Sequence, residues 1–417
     1  MDKVKFDINP HVIRQLGAEL VSDQVTALME LIKNSYDADA SYVKIEINTK
    51  EQCPLENLYN PNHKGYILVE DNGFGMDKET LLKSWLIISY SNKRATNGVK
   101  PKTPLGRTPL GDKGLGRLST QRLANCCEIY TKKIDTEPFH VGFKWSDFDQ
   151  VERLGDVNVH FNPVEFNGKS GTKMYLLDLI DSECWKGEGL EKLKGALCQI
   201  IAPYKELKPF NVYLSVDEEK IDITQEISKL EHLNLCDVNF DYSKGVMNVC
   251  IDIHIRKLIG NEYSIYRELI LPDNGKRFEE YLFNDKKGRG KCFQHADNGY
   301  WLRSSFSYDL KSLLPLSDLY NDINDEDPGD FFGRIQEFCF GANDKEGDWW
   351  NELYTSFKEY KNFVQSQIGI KIYRNGFAIR PYGIDNNDWL LLGQGQTRGS
   401  SYYGLRPGNV VGYIAID

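Results

Sequence analysis

The chain has 417 residues and carries 51 basic against 61 acidic side chains, a net charge of −10. At roughly 150 residues per domain this suggests two or three domains, and 41% hydrophobic with 27% charged residues excludes a disordered chain. The negative balance argues against a protein coated by nucleic acid, although it leaves room for a local basic patch. No apolar run approaches the roughly 18 residues of a membrane helix, and the opening MDKVKFDINP lacks a secretory apolar core. A cytoplasmic location with no membrane partner is therefore expected. Nine cysteines without a CxxC pair read as free, mostly buried thiols rather than disulfides or a zinc site.

In chain order, the first predicted element is a helix over 23–38, capped by Ser22 or Asp23, with Val25, Leu28, Met29, Ile32 and Tyr36 at helical spacing. Strands are predicted at 42–47, 67–69, 128–131, 141–145 and 173–177, followed by a helix near 189–202. Between Asp77 and Leu110 the pattern breaks, with Gly98, Pro101, Pro104, Gly106 and Pro109. This stretch holds seven basic residues (Lys78, Lys83, Lys93, Arg94, Lys100, Lys102, Arg107) and only two acidic ones, Asp77 and Glu79. A long basic loop suits a mobile lid over an anionic ligand. Beyond about residue 204, strands are expected at 247–255, 370–379 and 410–416 and a helix at 349–366. The basic run 286–291 reads as a solvated loop.

Three stretches carry chemistry. In ELIKNSYDADA, Glu30, Asn34 and Asp37 fall at i, i+4 and i+7, on one stripe of the first helix. A carboxylate that orients water beside an amide oxygen that binds a hard cation would use this spacing. In ILVEDNGFGM a buried-looking strand ends at Asp71, then Gly73 and Gly75 permit a sharp turn. A carboxylate there can accept a hydrogen bond from an exocyclic amine such as that of adenine. In GDKGLGRLS, Gly111, Gly114 and Gly116 lead into a helix expected to begin near Leu115, an arrangement that offers backbone N–H groups to phosphate. Neither the P-loop nor the dinucleotide fingerprint is present. Each stretch alone is more simply a polar face or a turn; their order and spacing change that.

Together they resemble the GHKL ATPase superfamily, which includes gyrase B, the ninety-kilodalton heat-shock chaperones, histidine kinases and MutL. The matches are E-x-x-x-N-x-x-D-A at 30–38, D-x-G-x-G at 71–75, G-x-x-G-x-G at 111–116, and Gly171-Thr172 opening a strand. The resemblance implies an α/β class chain, a sandwich of mixed sheet covered by helices on one face, binding ATP and Mg²⁺. It implies Glu30 as the general base, Asn34 as the metal ligand, Asp71 as the adenine reader supported by Thr172, and Asp37, Gly73, Gly75 and Met76 around the pocket. It further implies Gly111, Lys113, Gly114, Leu115 and Gly116 on the phosphates under a lid over about 77–110, from which Lys93 or its neighbour Arg94 is the candidate cation.

A histidine-kinase branch is disfavoured, because His11 is the sole histidine ahead of the first motif helix. The opening and GDKGLGRLS look closer to MORC-like and MutL-like proteins. Gln396-Thr397-Arg398 resembles the γ-phosphate-sensing QTK loop of gyrase-type members, with arginine for lysine, which would give Gln396 and Arg398 catalytic roles. The expected organisation is an ATP-binding domain over 1–205 and an α/β transducer-like domain over 206–417, truncated at its C-terminal end. The implied activity is slow ATP hydrolysis, with ATP closing the lid and driving N-terminal homodimerisation of a clamp. Its client would be a protein or DNA, possibilities that include prokaryotic defence. The competing expectation is a nucleotide-gated interaction module with little turnover.

Overall fold

The computed structural model describes residues 8–21, 23–55, 59, 64–88, 101–111, 116–201, 210–223, 228–258, 268, 271–273, 276–284, 286, 291–295, 301–309, 329–340, 345, 350–384, 386–393 and 405–416. They divide into two compact units, 1–197 with 209–223 and 198–208 with 224–417. Each unit is built on an eight-stranded mixed sheet.

In the first unit, α1 (His11–Leu20) precedes α2 (Gln24–Asp37). Asp23 caps α2 by accepting from Thr26 N at 2.8 Å, so one of the helix's four unpaired amides is satisfied by a side chain. The apolar stripe read from the sequence is the buried face: Val25, Leu28, Met29, Ile32 and Tyr36 are all buried. Each such aliphatic side chain stabilises the fold by about 1.5–3 kcal/mol.

The strands are β1 (Tyr42–Asn48), β2 (Tyr66–Asp71), β3 (Ala124–Lys132), β4 (Phe139–Lys144), β5 (His160–Pro163), β6 (Gly171–Leu179), β7 (Asn211–Val216) and β8 (Glu219–Ile221). Their order is β5-β4-β3-β6-β2-β1-β7-β8. Every pairing is antiparallel except β1 with β7. Val43, Ile45, Ile47, Ile67, Ile129 and Cys127 are buried on one face, as strict alternation requires. Trp145, expected to end a strand, instead opens a 3-10 turn and packs its ring on Phe143 and Phe148. The helix α3 (Gly187–Ile200) follows β6.

The second unit has the strands β9 (Cys236–Ser243), β10 (Val246–His254), β11 (Gln294–His295), β12 (Trp301–Asp309), β13 (Phe331–Glu337), β14 (Gly369–Arg374), β15 (Phe377–Ala378) and β16 (Val410–Ile416). Their order is β11-β12-β10-β9-β13-β16-β14-β15, with β14 and β16 parallel. Its helices include α4 (Lys276–Phe283) and α5 (Phe357–Gln367), the latter capped by Ser356 on Glu359 N. The helix anticipated from residue 349 starts only at Phe357. The single strand anticipated over 370–379 is a hairpin, because Asn375 and Gly376 both take positive φ (50° and 80°) and reverse the chain in two residues. Lys371 is 3% exposed and donates to Gln367 O at 2.5 Å. Burial pulls its ammonium down to about 7. Five of the nine cysteines are buried.

Candidate active site

Strand register assembles one half of the site. Val43, Asp71, Thr172 and Thr131 stand in a single row across β1, β2, β6 and β3. Asp71 thus continues the inner face that Ile67 and Val69 bury, and its carboxylate is turned toward α2. There Oδ2 accepts from Ser35 Oγ at 3.1 Å, and Oδ1 accepts from Gly73 N at 2.9 Å. Burial pushes this carboxyl up to about 6, partly offset by the donors Gly73, Ser35 and Thr172.

Beyond Asp71 the chain turns on two glycines. Gly75 has φ +63°, and a Cβ there would collide with Lys132 O, so the turn accepts no side chain. Met76 N donates to Thr131 Oγ1 at 2.9 Å, and Thr131 Oγ1 lies 3.2 Å from Thr172 Oγ1. The two threonines therefore fix the far wall of the turn.

The other half comes from α2. Asp37 is 1% exposed and accepts from Leu110 N at 2.8 Å and Gly111 N at 3.1 Å. Asn34 is exposed, and Glu30 is half-buried and ion-paired with Lys33 on the next turn. A Cβ on Gly116 would sit 3.4 Å from Asn34 Nδ2 and 3.9 Å from Glu30 Oε2. Gly116, Asn34 and Glu30 therefore meet at one point. Gly116 begins a helix, Gly116–Arg122, close to the start anticipated near Leu115, and it is of the 3-10 kind.

This arrangement suits a nucleotide: a half-buried acceptor at one end, and the bare backbone of Gly116 beside an amide oxygen and a carboxylate at the other. No group of three His, Cys, Asp or Glu side chains among the described residues could hold a metal. A single amide oxygen fits Mg²⁺, which keeps most of its water and takes its remaining ligands from phosphate.

Residues 22–168 match the family described as Histidine kinase-, DNA gyrase B-, and HSP90-like ATPase. Over these residues, about a third of the chain, the sequence is similar to the GHKL ATPases. A stretch of 131 residues is 28% identical to a putative type II restriction enzyme, HgiDII, of Herpetosiphon aurantiacus, covering 31% of this chain and 18% of that protein. A stretch of 204 residues is 24% identical to the mitochondrial heat shock protein 75 kDa of Bos taurus, covering 48% of this chain and 27% of that one. Another of 85 residues is 38% identical to the DNA mismatch repair protein MutL of Thermosipho africanus, covering 20% and 13%. The matched stretches thus span about a quarter or less of these relatives.

Of the residues expected at the site, Glu30, Asn34 and Gly116 converge, Asp37 holds Gly111, and Asp71, Gly73, Gly75, Met76 and Thr172 form the turn and its wall. Lys93, Lys113, Gly114, Leu115, Gln396, Thr397 and Arg398 lie outside the described residues. The basic stretch 77–110 is partly committed elsewhere. Lys83 pairs with Glu79, and Arg107 donates to Tyr36 O and Ala40 O. The reading of 77–110 as one irregular loop also changes, since a helical turn at Lys78–Thr80 runs into a π-helical turn at Leu81–Trp85.

Sequence reasoning passed over Ser35, Thr131 and Arg117, and counted Arg107 only among the basic residues of the lid. Ser35 had a signal: it extends the apolar positions Leu28 and Ile32 by one turn and is 2% exposed, so a polar group there needs a buried partner. Thr131 had none, because only strand register brings it to Thr172.

Proposed function

We propose that this chain binds Mg·ATP in the first unit and hydrolyses it slowly as a conformational switch. The observation that carries the reading is Asp71, a half-buried acceptor in the same sheet row as Thr172 and Thr131, beside a helix whose Asn34 and Glu30 meet Gly116. Asp71 would accept from the adenine amino group, an interaction that Ser35 and Gly73 orient by holding both carboxylate oxygens. Backbone N–H groups of the turn would take the phosphate oxygens, and Asn34 would hold Mg²⁺ through its amide oxygen. When bound, the ion supplies charge neutralisation on the phosphates. Glu30 would orient a water molecule and take its proton as it attacks.

On this reading ATP closes a lid over 77–110 and drives homodimerisation of a cytoplasmic clamp, with 206–417 as a transducer-like domain. The names of two relatives, a mismatch repair protein and a putative restriction enzyme, support DNA as the client; that of the heat shock protein supports a protein client. A second reading is a nucleotide-gated interaction module with little hydrolysis. It draws on the Glu30–Lys33 ion pair, which engages the carboxylate that would activate water.

Steady-state phosphate release from Mg·ATP, wild type against Glu30→Ala, separates the two. Turnover that vanishes in the variant while ATP still binds supports hydrolysis through Glu30. Equal rates in both proteins reject Glu30 as the base, and tight binding without turnover in either selects the gated module.

A further inference from the structure

We propose that Arg107 and Arg117 are positioning residues that hold the two flanks of the glycine-rich turn, so that they set phosphate affinity without touching the nucleotide. The inference rests on the ATP reading above. Both guanidinium groups are engaged by backbone carbonyls. Arg107 Nη1 donates to Tyr36 O at 3.0 Å and Ala40 O at 2.8 Å, with its guanidinium 4.6 Å from the centre of the Tyr36 ring. Tyr36 O stands in the last turn of α2, where the helix dipole is negative, and Ala40 O lies just beyond that end. A cation is at home there.

The same helix end grips the segment leading into Gly111 at further points. Asp39 accepts from Thr103 Oγ1 at 2.5 Å and Leu105 N at 2.9 Å, and Asp37 from Leu110 N and Gly111 N. Arg107 lies between these anchors in the chain, and its bonds run in the same sense, from a loop donor to acceptors at the helix end, but with the side chain supplied by the loop. The stretch 103–111 is therefore cross-stitched to the helix that carries Glu30 and Asn34.

Arg117 does the equivalent on the other flank, one residue past Gly116. Its Nη1 donates to Ser84 O at 2.9 Å and Ile87 O at 3.3 Å, and its guanidinium lies 5.6 Å from the Trp85 ring centre. Trp85 packs in turn near Phe143 of β4. The carbonyls it takes belong to the π-helical turn Leu81–Trp85 and its exit, where the regular i→i−4 ladder is interrupted. Burial lowers this guanidinium to about 10, so it stays charged at neutral pH.

The adenine end depends on neither arginine, since Ser35, Gly73 and Thr172 hold Asp71. The two ends should therefore separate. Calorimetric titration of the full chain with adenosine, ADP and Mg·ATP tests this on Arg107→Met, Arg117→Met and the matching lysine variants. Methionine keeps most of the apolar stem, and lysine restores a donor. Adenosine affinity should stay within about twofold of wild type, while ADP and ATP weaken by about tenfold or more, and lysine should recover part of the loss. Should a methionine variant fail to fold, its lysine counterpart carries the comparison. Equal weakening of adenosine and ADP would mean a merely structural role and overturn the proposal, as would unchanged ADP affinity. A wild type that binds none of the three ligands would overturn the ATP reading itself, a result no variant could produce.

Discussion

Replacing Asp71 by asparagine should make the nucleotide-free protein more stable while destroying adenine recognition. The carboxyl titrates near 6 in the fold against an ordinary value of 3.8, because burial penalises its charged form. A carboxyl raised by folding binds its proton more tightly in the native state, so stability falls as pH rises from about 4 through 6 and then levels. Two units correspond to at most about 3 kcal/mol at pH 7.5, reduced because the introduced amide gives up one acceptor while retaining that for Gly73 N. A net gain of about 1–2 kcal/mol is expected. Urea denaturation of wild type and Asp71→Asn between pH 4.5 and 8 reads it. The variant should lead at pH 8, and the gap should close toward pH 4.5, where the native carboxyl is already protonated. Wild-type adenosine binding should weaken over the same interval, since protonation removes an acceptor. A variant less stable at pH 8, or a gap indifferent to pH, would refute the claim that burial strain is stored in this carboxylate.

Gly75→Ala should cost at least about 2 kcal/mol, because a positive φ and a collision with Lys132 O act together; Gly106→Ala, at φ +84° with open space around it, should cost about 1 kcal/mol, and thermal melts compare them. Lys371→Met should stabilise the second unit. Its lysine is neutralised by burial, so the unfolded chain binds the extra proton and wild-type stability rises with pH between about 7 and 10.5. The variant should therefore lead by a few kcal/mol at pH 7.5 and lose that lead toward pH 10, measured by denaturation at several pH values; a constant lead would contradict it.

What could be read from the sequence was whatever one element encodes alone. The α2 stripe needed only helical period, and Asp71 with Gly75 needed only a strand meeting a turn. Ser35 was legible in principle, as a polar residue on an apolar line, and the hairpin at Asn375-Gly376 was signalled outright by the residue pair that two-residue turns favour. Arg107 and Thr131 are different. Their partners lie 67 and 41 residues away at Ala40 and Thr172, so their roles exist only once register and packing are set. Basic residues in a loop look alike in sequence whether they face phosphate or a helix end, and only geometry separates them.

The order in which the first sheet is threaded has a consequence for synthesis. Its edge beside β1 is closed by β7 and β8, and Asp217, just past β7, accepts from Thr49 N at 2.7 Å at the end of β1. Residues 198–208, which belong to the second unit, come between. A ribosome must therefore deliver the opening of the second unit before the first can finish its sheet. A fragment cut at residue 205 would leave β1 as a bare edge, open to pairing with a neighbouring chain, whereas one running to Ile223 would carry its own closing strands.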